Sequence, residues 1–227
     1  MDSLSFVEAI KANFENVNDE FFKQIEVYKN LLQNYNQKTN LTRLADDEKI
    51  YKEFFFDSLI HFKNISMENK KILDIGSGNG APGIILKLLF PSINLTVMDS
   101  NKKKIVFMNE LCNTLNIKCN IILKRAEEIQ VCERETYDIV TSRAVSELKN
   151  ILEISTPYCV VNGLIIEPKG SNYKVELSNA AKIIKKLDIV LIKEEFYNND
   201  TTNVTLVFTK KTNTNLFYPR KWKDIVK

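Results

Sequence analysis

The sequence is poor in the residues that most metal sites and nucleophilic sites need. Among its 227 residues are one histidine and four cysteines, and no cysteine pair has C-x-x-C spacing. A zinc site requires clustered Cys and His ligands, so we expect no metal. The only histidine, His61, disfavours mechanisms built on a Ser-His or Cys-His pair. Because it follows an apolar run, we predict that His61 ends a helix.

Long apolar runs are also missing. No stretch approaches the roughly 18 apolar residues that span a bilayer. The first 20 residues carry acidic side chains and no apolar core of the signal-peptide type. We therefore expect no membrane partner, a cytoplasmic location and reduced cysteines. Hydrophobic residues at 44% and charged residues at 27% are ordinary for a folded globular chain, which excludes disorder and a disulfide scaffold.

Charge is unevenly placed along the chain. The formal net charge is +3, but residues 210–227 hold six basic side chains and one acidic side chain, so that end alone is at +5. A basic end on a slightly acidic body suits a polyanionic partner. A solvated terminal tail explains the same feature equally well.

The first 70 residues have a helical pattern. Asn18 is placed to cap a helix whose first turn holds Asp19 and Glu20, the sign that the helix dipole favours. The segment Asn34–Leu44 is rich in Asn and Thr and predicts a loop. A second helix is expected to start at Asp46.

From residue 71 the pattern changes to short apolar runs that alternate with helical segments. Strands are predicted at 71–75, 94–99, 119–123, 137–142 and 163–168, with helices near 82–90, 101–116, 147–158 and 173–187. This alternation is typical of βαβ units in a parallel sheet. Two further β-rich runs, 188–197 and 203–210, predict an antiparallel hairpin at one edge.

We therefore predict an α/β fold with a doubly wound, mostly parallel, seven-stranded sheet. Its predicted parts are an N-terminal helical extension (1–70), a nucleotide-binding domain (71–210) and a basic C-terminal tail (211–227).

A glycine-rich turn follows the first predicted strand. Four of the six glycines fall within residues 76–83. Glycines such as Gly76 and Gly78 allow a tight turn and a close approach of ligand to backbone. A strand, a glycine turn and a helix start form a nucleotide-binding corner. The glycine spacing formally fits the dinucleotide pattern, but that pattern alone is weak evidence.

Three features favour S-adenosylmethionine (SAM) over a nicotinamide cofactor. Asp74 stands two residues before Gly76, where a carboxylate can meet the cationic amino-acid end of SAM, directly or through water. No second domain is left to bind a hydride acceptor, and the C-terminal hairpin matches the methyltransferase sheet. A nicotinamide oxidoreductase remains the alternative.

The ends of the later strands supply further candidates. Asp99, 23 positions after Gly76, suits hydrogen bonds from the ribose hydroxyls, although a helix cap is a compatible role. After the third strand, the backbone of Ala126 and the carboxylate of Glu127 can read the adenine edge. Arg143 follows the fourth strand, where methyl group and acceptor should meet. It can bind phosphate, stack on a base or form a surface ion pair.

A series of short motifs recurs in order along nearly the whole chain. They are 35–42 (YNQKTNLT), 57–59 (DSL), 73–78 (LDIGSG), 82–83 (PG), 99–100 (DS) followed by 103–104 (KK), 126–128 (AEE), 141–144 (TSRA), 169–170 (KG) and 218–221 (YPRK). In this combination the chain resembles the bacterial guanine-N7 methyltransferases of 16S ribosomal RNA, the RsmG (GidB) family.

The resemblance implies cofactor contacts at Gly76, Ala81, Ala126, Glu127 and Arg143, with Arg143 as the candidate catalytic residue. It also implies a monomeric cytoplasmic enzyme that binds SAM and methylates one guanosine in the decoding-region loop of 16S rRNA, free or in the small ribosomal subunit.

Three positions depart from the family pattern. Ala81 stands where the family has a bulky apolar residue, so packing against the cofactor should be looser. Phe54 replaces a frequent histidine. The segment 222–224 replaces the usual Pro/Gly continuation.

RNA binding is expected to use basic and aromatic side chains of two segments. Phosphate contacts are predicted for Lys124, Arg125, Arg220, Lys221 and Lys223. Tyr218 or Trp222 is a candidate for stacking on an unpaired base. Two other classes stay open on the residues alone: a methyltransferase of a protein or small molecule, and a non-catalytic RNA-binding module.

Overall fold

The strands lie close to where the apolar runs predict them. This computed structural model describes residues 1–39, 46–197 and 200–227. Its strands are β1 (Lys71–Ile75), β2 (Asn94–Asp99), β3 (Asn120–Leu123), β4 (Tyr137–Ser142), β5 (Cys159–Lys169), β6 (Ile189–Tyr197) and β7 (Asp200–Lys210). β5 starts four residues earlier than predicted. Cys159 already pairs with Tyr137, and a bulge separates this pair from the regular register that begins at Leu164.

The seven strands form one sheet in the order β3-β2-β1-β4-β5-β7-β6. β1 to β5 run parallel, and β7 is antiparallel to both β5 and β6. The predicted doubly wound sheet with its C-terminal antiparallel hairpin is confirmed. Because β1 lies between β2 and β4, the strand order reverses there, and a crevice is expected at the carboxyl ends of these strands.

Helices cover both faces of the sheet. They are α1 (Ser3–Asn13), α2 (Asp19–Thr39), α3 (Asp47–Lys49), α4 (Asp57–Ile60), α5 (Gly83–Leu89), α6 (Lys102–Thr114), α7 (Leu148–Ser155), α8 (Tyr173–Leu187) and α9 (Trp222–Ile225). Short 3-10 turns occur at Ala126–Glu128, Val131–Glu133 and Thr156–Tyr158. Across the described ranges, no helix combines the length and apolar character needed to cross a membrane.

α2 begins as predicted and ends later than predicted. The side chain of Asn18 accepts the Phe21 N–H at 3.0 Å, which confirms the cap. The helix then continues to Thr39, so the predicted loop is wrong for residues 34–39. Tyr35 explains this, because its ring packs at 5.1 Å from that of Phe107 and this contact outweighs local propensity. Residues 40–44 of that loop, with the motif residues 40–42, lie outside the described residues.

The second predicted helix is interrupted by a wider turn. The Asp46 carboxylate accepts the Lys49 N–H at 2.9 Å, which confirms the helix start. The segment Ile50–Phe56 (called the π segment below) is then π-helical and joins α3 to α4. His61 caps the C-terminus of α4, as predicted. π-helical turns often occur near functional sites.

The N-terminal helices share a core with the sheet domain. Phe6, Tyr28 and Phe55 are buried in the same apolar cluster as Ile84 of α5. The Tyr28 hydroxyl also donates a hydrogen bond to the backbone carbonyl of Asn79 in the glycine turn. The division at residue 70 stays a prediction, and the packing joins its two sides.

Candidate active site

The turn after β1 has a shape that requires glycine. Gly76 and Gly78 have φ of +69° and +57°, in the left-handed region. A Cβ atom on Gly76 would lie 2.5 Å from Cγ2 of Val145, so the Val145 side chain would have to move to admit it. The turn is therefore fixed by its own backbone and by the loop that packs on it.

Asp74 supports this turn from inside the protein. Its side chain is fully buried, and Oδ2 accepts the Gly83 N–H at 2.8 Å. Its backbone carbonyl accepts a hydrogen bond from Ser77 Oγ at 2.8 Å. Burial raises the pKa of the Asp74 carboxyl to about 7, although the Gly83 N–H opposes the shift. The predicted contact with the amino-acid end of SAM stays a prediction.

Asp99 uses its two carboxylate oxygens for different neighbours. Oδ2 accepts the Gly78 N–H at 2.9 Å, and Oδ1 accepts the Asn101 N–H at 2.7 Å. The cap of α6 itself is Asn101, whose side chain accepts the Lys103 N–H at 2.9 Å. Asp99 thus joins the glycine turn to the start of α6.

A cavity of about 320 Å³ opens at the ends of β1, β2 and β3, and we call it the Asp99 cavity. Six of the residues predicted to contact the cofactor or the RNA phosphates line it: Gly76, Asp99, Lys124, Arg125, Ala126 and Glu127. The rest of its lining is mainly apolar: Ile75, Met98, Ser100, Ala144, Val145, Ile154 and Trp222. This combination of carboxylates and apolar walls suits a nucleoside, because carboxylates accept hydroxyl hydrogen bonds and apolar surfaces pack on a base.

The remaining predicted cofactor residues lie around this cavity without lining it. Asp74 lies in β1, Gly78 and Ala81 belong to the turn that follows it, and Arg143 lines a neighbouring cavity. Ala81 is buried. The looser packing against the cofactor that we expect at this position stays a prediction.

The neighbouring cavity, of about 480 Å³, is called the Arg143 cavity. Its charged lining consists of Arg143, Lys169, Glu53, Asp57, Glu147 and Glu176. The other lining residues are His61, Ala144, Val145, Ser146, Pro168, Gly170 and Asn203. A space lined by both signs of charge suits a polar group that offers donors and acceptors.

The two cavities meet at the loop after β4. Ala144 and Val145 line both of them. Ala144 has φ of +56°, a left-handed conformation that is uncommon for alanine and occurs preferentially at functional sites. A group transferred from one cavity to the other would pass this loop.

Arg143 binds the π segment of the N-terminal helices. Its Nη2 donates to the Glu53 carbonyl at 2.8 Å, and its Nη1 donates to Ser58 Oγ and to the Phe54 carbonyl. The alternative of a surface ion pair is wrong, because the partners are mainly backbone carbonyls. Phe54 therefore contributes its carbonyl to the site, while its ring packs at 5.7 Å from that of Tyr28.

A buried carboxyl group near the site was missed by sequence reasoning. Glu167 of β5 is buried, and its Oε2 accepts a hydrogen bond from Ser142 Oγ at 2.7 Å. Burial raises the pKa of Glu167 to about 8. The available signal was an acidic residue inside an otherwise apolar strand.

Two of the predicted RNA-binding side chains already have protein partners. Lys124 forms an ion pair with Glu133. Arg220 donates from Nε and Nη2 to the two oxygens of Glu153 at 2.8 and 2.6 Å, and Glu153 is only 1% exposed. A buried carboxylate needs such a partner, so Arg220 anchors the C-terminal segment (residues 211–227).

The other predicted RNA-binding residues differ in exposure. Arg125, Lys221 and Lys223 are exposed. Tyr218 is half-buried, and its backbone carbonyl accepts a hydrogen bond from Arg134 at 2.8 Å. Trp222, considered above for base stacking, lines the Asp99 cavity. Within the part of the chain that the structure describes, no group of three or more His, Cys, Asp or Glu residues could hold a metal ion.

Comparison with known proteins identifies the family. The family model described as rRNA small subunit methyltransferase G (GidB) matches residues 22–207. The chain belongs to this family. Proteins named ribosomal RNA small subunit methyltransferase G are 40% identical to it in Ureaplasma parvum serovar 3 and in Malacoplasma penetrans. The matches cover 100% of this chain with 99% and 98% of the two relatives.

A solved structure confirms the fold of this family member. The M. jannaschii TYW2 structure in complex with AdoMet matches with a TM-score of 0.56 and 16% identity, over 74% of this chain and 78% of that chain. Family membership makes the protein a SAM-dependent rRNA methyltransferase, and its sheet is that of the class I methyltransferases. The nicotinamide oxidoreductase, the non-catalytic RNA-binding module and the methyltransferase of proteins or small molecules are set aside.

Proposed function

We propose that this methyltransferase transfers a methyl group from SAM to N7 of one guanosine in the decoding-region loop of 16S rRNA. The observation that carries the proposal is the pair of adjoining cavities, which share Ala144 and Val145. One cavity has the lining of a nucleoside site, and the other has the mixed charges that suit a polar base.

In this proposal the Asp99 cavity holds the cofactor. Asp99 accepts hydrogen bonds from the ribose, the segment at Ala126 and Glu127 reads the adenine edge, and Gly76 lets the ligand approach the backbone. When bound, SAM supplies a methyl group on a positively charged sulfur. The role of the protein is then to align that methyl group with the acceptor and to exclude water.

The acceptor atom needs no general base. Guanine N7 is an acceptor without a proton, and its lone pair lies in the ring plane. The environment of the only histidine agrees with this, because His61 Nδ1 lies 2.7 Å from Thr205 Oγ1 and burial lowers the pKa of His61 to about 4. His61 is thus neutral at pH 7 and has a structural partner.

The Arg143 cavity would receive the guanine. The purine gains positive charge on methylation, and the carboxylates of Glu53 and Asp57 in this cavity can stabilise that charge. Arg143 binds the backbone of the π segment that carries Glu53, and as a lining residue it also contacts the incoming base or phosphate.

The phosphate backbone of the RNA would bind the exposed cations Arg125, Lys221 and Lys223. Arg125 itself lines the Asp99 cavity. We assign Arg220 and Lys124 to ion pairs within the protein. As the family resemblance implies, we expect a monomer that acts in the cytoplasm on free 16S rRNA or on the small subunit.

The decisive experiment maps methylated guanosines in ribosomal RNA from cells with and without this protein. Mass spectrometry of nuclease fragments should show one methylguanosine that depends on the protein. Chemical cleavage at N7-methylated guanosine should place it in the decoding-region loop of 16S rRNA. A methyl group on another atom or another rRNA segment would contradict the N7 assignment and leave the rRNA methyltransferase assignment intact.

A second experiment compares free 16S rRNA with assembled small subunits as substrates for the purified enzyme and tritium-labelled SAM. Label in RNA is expected in one of the two. Label in ribosomal protein would overturn the proposed substrate.

A further inference from the structure

The C-terminal segment is fixed to the domain on both sides of Trp222. Before Trp222, Arg134 donates to the backbone carbonyls of Thr214, Asn215 and Tyr218 at 3.2, 3.2 and 2.8 Å. Two residues before the indole, Arg220 donates two hydrogen bonds to the carboxylate of buried Glu153. The segment is therefore held in place rather than loose.

After Trp222 the chain is fixed again. Ile225 is 3% exposed and belongs to the apolar cluster that includes Ile154 of α7. Its N–H donates to the Lys221 carbonyl at 3.2 Å, which closes a helical turn around Trp222. The position of the indole is thus set by its neighbours on either side.

Trp222 lines the Asp99 cavity together with Ala126 and Ile154, while 38% of its surface stays exposed. An indole in such a place forms part of a cavity wall and stays partly open to solvent. Large flat aromatic rings stack well on purines, and the interaction is tolerant of base identity.

The position of Trp222 distinguishes stacking on an RNA base from stacking on the adenine of the cofactor. To stack on the part of Trp222 that lines the cavity, an RNA base would have to enter a space that Asp99 and Ala126 also line. The adenine of the cofactor is the purine that the proposed function already places there. The lining therefore favours cofactor over substrate as the partner of Trp222.

We propose that Trp222 forms the aromatic wall against the adenine of SAM, so that the C-terminal segment completes the cofactor site. This inference rests on the proposed function, which places SAM in the Asp99 cavity. It adds a cofactor-contacting residue from a part of the chain that charge alone would assign to RNA.

The test uses the fact that Trp222 is the only tryptophan in the sequence. Unmodified enzyme is titrated with S-adenosylhomocysteine, the demethylated product, and both tryptophan fluorescence and calorimetric heat are recorded. The fluorescence should change saturably, with the same dissociation constant as the heat. Because this measurement needs no substitution, it does not depend on whether a variant folds.

Substitutions then measure the contribution of the ring. Trp222→Ala should weaken S-adenosylhomocysteine binding by between about five- and 150-fold, the range observed for loss of a base-stacking aromatic. Trp222→Phe should recover most of the affinity. Phe217→Ala is the matched control, because Phe217 is 64% exposed in the same segment and does not line the Asp99 cavity.

The outcomes separate this inference from the proposed function. Calorimetric binding without a fluorescence change, together with unchanged affinity of Trp222→Ala, would overturn the inference and leave SAM binding intact. Loss of rRNA binding in Trp222→Ala with unchanged S-adenosylhomocysteine affinity would also overturn it and assign the indole to RNA. If the unmodified enzyme gave no heat with S-adenosylhomocysteine, the proposed cofactor site itself would fail.

Discussion

The two cavities that meet at Ala144 and Val145 are built from different parts of the chain. The Asp99 cavity takes most of its lining from residues at or just after the ends of β1, β2 and β3. The Arg143 cavity combines the π segment with the loop after β4, the end of β5 and Asn203 of β7. The lining of the Asp99 cavity follows from the regular βαβ pattern, whereas the lining of the Arg143 cavity depends on how the N-terminal helices pack against the sheet domain.

Because of this difference, we expect that the Asp99 cavity and the Arg143 cavity can be perturbed separately. In the Asp99 cavity, Asp99 accepts the N–H of Gly78, which lies 21 positions away in the preceding βα unit. Contacts of the Arg143 cavity connect residues about 90 positions apart, such as Arg143 to the Glu53 carbonyl. Substitutions in each cavity should therefore affect different steps.

The largest effect is expected from Arg143→Ala. It removes the hydrogen bonds that hold the π segment and a cation of the Arg143 cavity, so methyl transfer should fall by at least about 100-fold. S-adenosylhomocysteine affinity should fall much less. Arg143→Lys keeps the charge without the planar fork and should recover only part of the rate. Single-turnover transfer and calorimetry measure the two quantities. An equal loss in both would show that the cavities do not act separately.

Asp99→Ala tests the other cavity. It should weaken S-adenosylhomocysteine binding by about 1.5–3 kcal/mol, the scale of hydrogen bonds to a charged group. Asp99→Asn is the control, because its amide oxygen can still accept the Gly78 N–H. Calorimetry on both variants gives the result. If Asp99→Ala bound with unchanged affinity, Asp99 would serve only the turn and the start of α6.

Two adjacent basic residues offer a sharper comparison within the C-terminal segment. Arg220→Ala leaves the Glu153 carboxylate buried without its partner and should lower the free energy of unfolding by about 1–3 kcal/mol, reduced because Arg220 is partly exposed. Lys221→Ala should change stability by less than about 0.5 kcal/mol. It should also reduce the slope of the logarithm of the rRNA binding constant against the logarithm of the salt concentration by about 1.

Urea unfolding and filter binding at several salt concentrations measure these effects. The reverse pattern, with Arg220→Ala acting only on RNA binding, would contradict the assigned anchor.

The smallest effect concerns pH. Burial raises the pKa of Asp74 from 3.8 to about 7, so the folded protein holds a proton that the unfolded chain has released. The folded state binds more protons, and stability therefore falls as pH rises from about 4 through 7. Asp74→Asn should remove about 1 kcal/mol of the difference between pH 6 and pH 7. Urea unfolding at both pH values checks this, and identical pH dependence in both proteins would contradict it.

Local features could be predicted because their causes are local. The bounds of β1, β2 and β4, the Asn18 cap and the glycine turn follow from periodicity, capping chemistry and backbone freedom within a few residues. The length of α2 could not be predicted in this way, because Tyr35 packs on Phe107 far along the chain.

Which basic side chains are buried and paired with carboxylates could be learned only from the tertiary structure. Lys210, counted with the basic end, is fully buried and donates to Glu135 and to the Cys159 carbonyl, each at 2.8 Å. Arg220 finds Glu153 at a separation of 67 positions. A charge count cannot distinguish a cation that meets a buried carboxylate from one that stays in water.

The sequence by itself determined the sheet, its glycine corner and the family, because these depend on the order of residues over short distances. Only the tertiary structure decided that Arg143 binds the π segment, that Arg220 is an anchor and that Trp222 lines the Asp99 cavity. The physical reason is that these placements come from the docking of distant segments, where burial and charge pairing select one partner among many.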